Sequence, residues 1–152
     1  MVEVTERHPL DDMERARKII AELQALGVRV ALDDVGTGHG GMAYLQKLGV
    51  DIIKIDKMFI DTIGSDDSST TIVDSLVELA DNLGMGIIAE GVEFEEQVER
   101  LLDLGVTAAQ GYLYAAPMSA ADYIAFAEKI EEEELKQMQA EAEAEAEAEE
   151  AA

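Results

Sequence analysis

The tripeptide Leu-Gly-apolar occurs four times in this chain, at Leu26-Gly27-Val28, Leu48-Gly49-Val50, Leu83-Gly84-Met85 and Leu104-Gly105-Val106. Each copy closes a stretch with helical apolar spacing and opens a strand-like run. A glycine just past a helix takes the left-handed conformation that ends it. Five to seven positions beyond each of these glycines stands a polar residue: Asp33 and Asp34, then Lys54 and Asp56, then Glu90, then Gln110. That distance is about one strand of roughly 5 to 6 residues. Repeated helix-then-strand units of this kind build a parallel sheet, and they deliver their polar groups to its carboxyl edge. This is the arrangement of a (β/α) barrel or a doubly wound sheet, an α/β fold in either case.

The chain divides readily into elements. Val2 to Thr5 alternates as a short strand. Asp11 or Asp12 caps a helix with the stripe Met13, Ala16, Ile19, Ile20, Leu23 and Leu26. Strands are expected at 28–33, 51–56, 86–89 and 106–109. The helices between them are expected near 41–48, after the polar loop Ser65 to Ser69, and at 95–104, the last with Val98, Leu101 and Leu102 inward. The run Asp51-Ile52-Ile53-Lys54-Ile55-Asp56 has the near-continuous β-branched content of a parallel strand covered on both faces. Pro117-Met118-Ser119 precedes a terminal helix carrying Tyr123, Ile124, Phe126, Ala127 and Ile130. The expected organisation is a folded domain over 1–130 and a Glu/Ala-rich acidic tail over 131–152. That tail has Glu at every second place from Glu141 to Glu149, so like charges fall at i and i+4 and weaken its helix.

Length and composition narrow the chemistry. A complete eight-stranded barrel takes about 250 residues, whereas this chain has 152. There is no Cys, which excludes disulfides and thiolate metal sites, and with two His transition-metal centres are disfavoured. The net charge is −23; the tail holds ten Glu and one Lys, which leaves −14 on residues 1–130. Such a surface repels phosphate backbones, so a nucleic acid polymer is not an expected partner. No apolar run approaches the ~20 residues of a membrane span, and no basic-then-apolar signal region opens the chain, so a cytoplasmic location is expected.

Asp33 and Asp34 sit where an apolar run meets the glycine turn Val35-Gly36-Thr37-Gly38, a position suited to ligands for a hard cation. A site built from carboxylates points to Mg²⁺, Mn²⁺ or Ca²⁺. The segment Gly36-Thr37-Gly38-His39-Gly40-Gly41 also satisfies G-x-G-x-x-G, with Asp56 twenty residues past Gly36. Two aspartates beside a pyrophosphate would repel it strongly in a low-dielectric cleft, which argues against dinucleotide cofactors. Lys54 and Asp56 share a face by strand alternation.

Five ordered segments carry a family resemblance: Glu3-Val4-Thr5-Glu6, Asp33-Asp34-Val35-Gly36-Thr37-Gly38, Lys54-Ile55-Asp56-Lys57, Ala89-Glu90-Gly91-Val92-Glu93 and Gln110-Gly111-Tyr112-Leu113. Together they resemble the later part of an EAL domain, the bacterial cyclic di-GMP phosphodiesterase family, over roughly residues 1–125. The resemblance implies a TIM-type barrel, here partial with about five parallel strands. It implies two Mg²⁺ or Mn²⁺ ions at the carboxyl edge that activate a water to open cyclic di-GMP to the linear dinucleotide. It further implies Glu3 and Asp33 as metal ligands, with Asp34 and Glu90 serving the second metal. Lys54 would position the water, Gln110 would hold water or substrate, Glu93 would brace the loop at 35–41, and Gly36, Thr37, Gly38 and Asp56 would support the site.

The chain departs from the family pattern at definite places. The Glu-Ala-Leu triplet is absent, and Ala21-Glu22-Leu23 is a different order inside a helix. The sole Asn is Asn82, at a helix end, where the family's metal-binding Asn belongs on a strand. The turn has Val35, His39, Gly40 and Gly41 where relatives tend to have Phe, another aromatic and small hydroxyl residues. The expectation is a truncated EAL domain with weak activity or none by itself. The competing expectation is a non-catalytic module that binds cyclic di-GMP or a cation and works by association. With about three strands lacking, a homo-oligomer or a partner that supplies strands is expected.

Overall fold

The computed structural model describes residues 1–5, 12–35, 41–64 and 70–150, and within the helices the side chains at 41–44, 70, 71, 134, 137 and 141–150 lie outside that description. The elements run β1 (Val2–Thr5), α1 (Met13–Ala25), β2 (Val30–Val35), α2 (Gly41–Leu48), β3 (Ile52–Ile55), α3 (Lys57–Ile60), α4 (Thr70–Leu83), β4 (Gly86–Glu90), α5 (Glu95–Asp103), β5 (Ala109–Gln110) and α6 (Ala120–Glu150). Residues Met1–Ala115 form one compact unit and Ala116–Ala152 a second, which consists chiefly of α6. The expected Ser65–Ser69 loop, Asp11 and the turn residues Gly36, Thr37, Gly38, His39 and Gly40 lie outside the described residues.

All five strands are parallel and ordered β1-β2-β3-β4-β5. Each neighbour in the sheet is therefore the next strand in sequence, reached through a helical crossover. A doubly wound sheet reverses its order at a switch point, whereas this sheet winds in one direction, which is part of a (β/α) barrel.

The Leu-Gly-apolar units act as the sequence indicates. Gly27, Gly49, Gly84 and Gly105 all have φ between 67° and 83°. After α1, α4 and α5 the same pair of bonds forms: Gly27 N–H to the Gln24 carbonyl with Val28 N–H to Leu23, Gly84 to Asp81 with Met85 to Ala80, and Gly105 to Leu102 with Val106 to Leu101, all 2.9–3.0 Å. This satisfies the last helical carbonyls and turns the chain into the following strand. At the other end of α1, Asp12 accepts from the Arg15 amide at 3.0 Å.

The core is made of strand residues buried from both sides, Val30, Leu32, Ile53 and Ile55 among them, with Val73, Val77, Ala80 and Leu101 packed over the sheet from the helices. Not every residue of the expected apolar stripes is inside. Ile20 is buried, and Met13, Ala16 and Leu23 are partly so, but Ile19, Leu26, Ile72 and Leu102 are exposed. A helix lying on a sheet buries only a narrow arc of its circumference, and these four fall beyond it.

Of the boundaries that differ from the sequence-based expectation, three bear on the carboxyl edge. Strand β2 extends past Asp33 through Asp34 to Val35, so both aspartates lie within the strand. Strand β3 stops at Ile55, because Asp56 caps the unforeseen single turn α3 and its carboxylate accepts from the Met58 amide at 2.7 Å. Strand β5 spans only Ala109 and Gln110, where 106–109 is expected. The small residues Thr107, Ala108 and Ala109 bring little to pack, and the ladder closes only where β5 meets Ala89 and Glu90.

Gly111 follows β5 with the Val92 backbone directly against it. A Cβ there would overlap the Val92 carbonyl and amide, the same groups that bond Leu113 N–H at 3.0 Å and the Gln110 carbonyl at 3.1 Å. Overpacking of this kind costs about 1 to 3 kcal/mol, which in a chain of this size is roughly 2 to 12 °C in melting temperature. Gly111→Ala is therefore expected to lower the thermal midpoint by that amount in circular dichroism, and an unchanged midpoint would show that the close approach does not hold.

Candidate functional site

The register of the sheet selects which side chains meet. Glu3 pairs with Ala31 and Thr5 with Asp33; Leu32 pairs with Ile53, Lys54 with Ile88, and Glu90 with Gln110. Since alternate residues share a face, Glu3, Asp33, Lys54, Glu90 and Gln110 all project to the same side of the sheet near its carboxyl edge. Asp34 belongs to the opposite side by alternation.

The structure brings Asp34 in by a bulge. Between Leu32 and Val35 the β2–β3 register shifts, and Val35 rather than Asp34 pairs with Ile55. Asp34 is the additional residue, at φ 58°, the one non-glycine with positive φ among the described residues. A bulge sets two residues of one strand against one of its neighbour and re-aims a side chain, and the left-handed conformation is open to aspartate more than to most residues. As a result Asp33, Asp34 and Glu90 offer carboxylate oxygens that all lie within 4.8 Å of one another.

Lys54 stands among these acids. Its ammonium lies 2.8 Å from Glu90 Oε1, 3.0 Å from Asp33 Oδ1 and 3.0 Å from Glu3 Oε1, and its side chain is only 6% exposed. Burial on the central strand opposes its charge, but hydrogen bonds to Glu90, Glu3 and Asp33 outweigh that and hold it above the ordinary lysine range. Glu90 is shifted up from the usual carboxylate range, chiefly by burial and further by Asp33, with Lys54 pulling the other way. Glu90 Oε1 also accepts from the Gln110 amide.

Three carboxylates thus surround one ammonium, and that of Asp34 lies beside two of them. Two like charges 4 Å apart at an effective dielectric of about 20 repel by about 4 kcal/mol, so the edge carries an electrostatic deficit that a second positive charge would relieve. The donor set is all hard oxygen, which suits Mg²⁺ or Mn²⁺. Asp33, Asp34 and Glu90 therefore fit such an ion, while Glu3 meets the group through Lys54.

The remaining expected residues fall elsewhere. Asp56 does not join Lys54; it caps α3, because the strand ends one residue earlier than its pattern suggests. The Glu93 carboxylate pairs with Lys57 at 3.2 Å, and Lys57 also pairs with Asp61 at 2.6 Å; the turn residues that Glu93 was expected to brace, Gly36, Thr37 and Gly38, lie outside the described residues.

Gln97 was not anticipated. It is buried at 2% exposure, accepts from the Glu93 and Phe94 amides at 2.8 and 3.1 Å and donates to the Ile60 carbonyl at 3.2 Å, fixing the loop after β4 to α3. A Gln three residues past a helix start is half of a capping box, but the cap position holds Phe94 rather than Ser or Thr, which hides the signal.

A sequence model of the EAL domain matches residues 1–117. The cyclic di-GMP phosphodiesterase PdeL of Escherichia coli strain K12 is 43% identical over 125 residues, covering 82% of this chain and 34% of that protein. The EAL domain of Mycobacterium smegmatis DcpA superposes with a TM-score of 0.79 at 36% identity, over 84% of this chain and 57% of that one. The manganese/cy-diGMP complex of Klebsiella pneumoniae BlrP1 matches with a TM-score of 0.68 at 33% identity, over 76% and 29% respectively. The chain thus spans about a third of PdeL's length. The winding of the sheet, the carboxylates at its edge and these matches agree: the chain belongs to the EAL domain family.

Proposed function

We propose that the edge formed by Asp33, Asp34, Lys54, Glu90 and Gln110 is the carboxyl-terminal share of a two-metal site for cyclic di-GMP hydrolysis, and that this chain alone turns the substrate over slowly or not at all. The observation that supports the reading is the convergence of three carboxylates within 4.8 Å beside a buried lysine. Asp33, Asp34 and Glu90 would hold Mg²⁺ or Mn²⁺. When bound, such ions lower the pKa of a water and neutralise charge on a phosphodiester.

The chain's own groups have separable tasks in this reading. Lys54 keeps the Asp33 and Glu90 carboxylates turned inward and offers an ammonium to a phosphate oxygen. Gln110 holds the Glu90 carboxylate from the neighbouring strand and presents an amide to water or substrate. Gln97 and the Lys57–Glu93 pair support the loop after β4, and the turn Gly36-Thr37-Gly38 lies next to the ligands in sequence. Glu3 anchors the far side of Lys54 and stands ready as a further ligand.

Low activity follows from the ligand count. Two-metal hydrolysis needs both ions fixed in register with the scissile bond, and misplacement alone costs orders of magnitude. Purified protein with Mn²⁺ and cyclic di-GMP is expected to yield little or no linear dinucleotide by chromatography. Robust Mn²⁺-dependent product would contradict this.

Cation binding is tested apart from turnover. An ion that binds only the folded chain, at ten times its dissociation constant, adds about 1.4 kcal/mol, or about 3 to 6 °C for a chain of this size. Millimolar Mn²⁺ is expected to raise the midpoint of the native protein by that order and to leave an Asp33→Asn, Asp34→Asn double variant nearly unmoved. Equal shifts in both would place the binding elsewhere.

The sheet also bears on assembly. Strand β1 has its exposed Val2 and β5 its exposed Ala109 and Gln110 at the two sides of the five-stranded ladder, and unpaired strand edges are templates for further pairing. A homodimer or larger assembly, or pairing with a separate segment that supplies strands, would cover them. Light scattering at physiological salt is expected to show more than a monomer; a stable monomer at tens of micromolar would contradict this part of the reading.

A further inference from the structure

We propose that Lys54 is a tethered counter-cation that competes with a divalent ion for Asp33 and Glu90, so that it sets how weakly this cluster binds metal. The inference rests on the cation-binding reading of the cluster and adds a rule for its affinity.

Three features carry it. First, the ammonium is already bonded to two of the three clustered carboxylates, at 2.8 Å to Glu90 and 3.0 Å to Asp33, and to Glu3 at 3.0 Å. Second, it has little room to withdraw. Lys54 lies on β3, with β2 and β4 on either side and the buried Ile53 and Ile55 next to it in the strand, and its side chain is almost wholly enclosed. Exposed lysines move their heads into water at small cost, whereas this one is held. Third, an ion on Asp33 and Glu90 shares their carboxylates with that ammonium, and like charges this close in a partly buried setting are poorly screened. The lysine thus stabilises the acids in the metal-free chain and opposes the metal that would replace it.

The competing possibility is that Lys54 only orients the ligands, in which case its removal weakens binding. The two predict opposite signs. Mn²⁺ binding to the full chain is read by isothermal titration calorimetry and by the free-ion electron paramagnetic resonance signal, with the Asp33→Asn, Asp34→Asn variant subtracting ions held by the acidic tail.

For Lys54→Met, which keeps the length and removes the charge, the expected result is at least tenfold tighter Mn²⁺ binding, a lower metal-free melting midpoint, and a larger midpoint rise on adding Mn²⁺ than the native chain shows. Lys54→Arg keeps the charge and is expected to stay within a few-fold of native affinity. If Lys54→Met is unfolded without metal, saturating Mn²⁺ is expected to restore a cooperative transition, and the shorter Lys54→Gln supplies the affinity comparison. Native binding that the double aspartate variant abolishes, combined with equal or weaker binding in Lys54→Met or Lys54→Gln, would overturn the competition. No recovery of folding in saturating Mn²⁺ by either lysine variant would overturn it as well. If native binding is unaffected by the double aspartate variant, the cluster is not the cation site, and the underlying reading fails with this inference.

Discussion

Negative charge cannot be gathered at the edge of a sheet without something to hold it there, and in this protein that task falls to the ammonium of Lys54. Glu3, Asp33 and Glu90 come from three different strands, and each touches this one group. Remove it and the carboxylates of Asp33, Asp34 and Glu90, within 4.8 Å of one another, repel by several kilocalories per mole at protein-like dielectric. Its placement follows from the central strand. Ile52, Ile53 and Ile55 are buried around it, so the lysine is carried into the interior by the burial of its neighbours and reaches the acids because parallel register puts them level with it.

The second element of the site is strain. Alternation would send Asp34 to the far face, and the bulge at φ 58° reverses that. A non-glycine residue held in the left-handed region costs of order 1 to 3 kcal/mol and persists where its surroundings over-determine it. Here Asp33 pairs with Thr5 of β1 and Val35 with Ile55 of β3, so the residues before and after Asp34 are both held by the sheet. Two adjacent acids on one strand thereby serve one location, which a regular strand does not allow.

Much of this is legible in the sequence. The Leu-Gly-apolar units located three helix ends with identical bonding and fixed the common direction of the strands, and counting along each strand from its glycine identified Asp33, Asp34, Lys54, Glu90 and Gln110 as residues of one edge. What sequence did not carry was local geometry decided by neighbours. Asp56 matched the strand period, yet it was drawn off as the cap of a single helical turn too short to leave a periodic signal. Gln97 carries no signal in the sequence, although three backbone groups converge on it. Strand β5 is expected over four residues and forms over two, because its ladder closes only against Ala89 and Glu90. The bulge at Asp34 has no signature in one sequence, since Asp before a glycine turn fits a loop equally well.

Membership of the EAL domain family accounts for the winding of the sheet and for acids at its carboxyl edge, while the chemistry of this particular chain depends on whether those acids act together on one ion. The most direct measurement is anomalous diffraction at the manganese edge from crystals of the chain soaked in Mn²⁺. The account predicts a peak coordinated by oxygens of Asp33, Asp34 and Glu90. A fully occupied lattice of acidic-tail peaks with none at that cluster would contradict it.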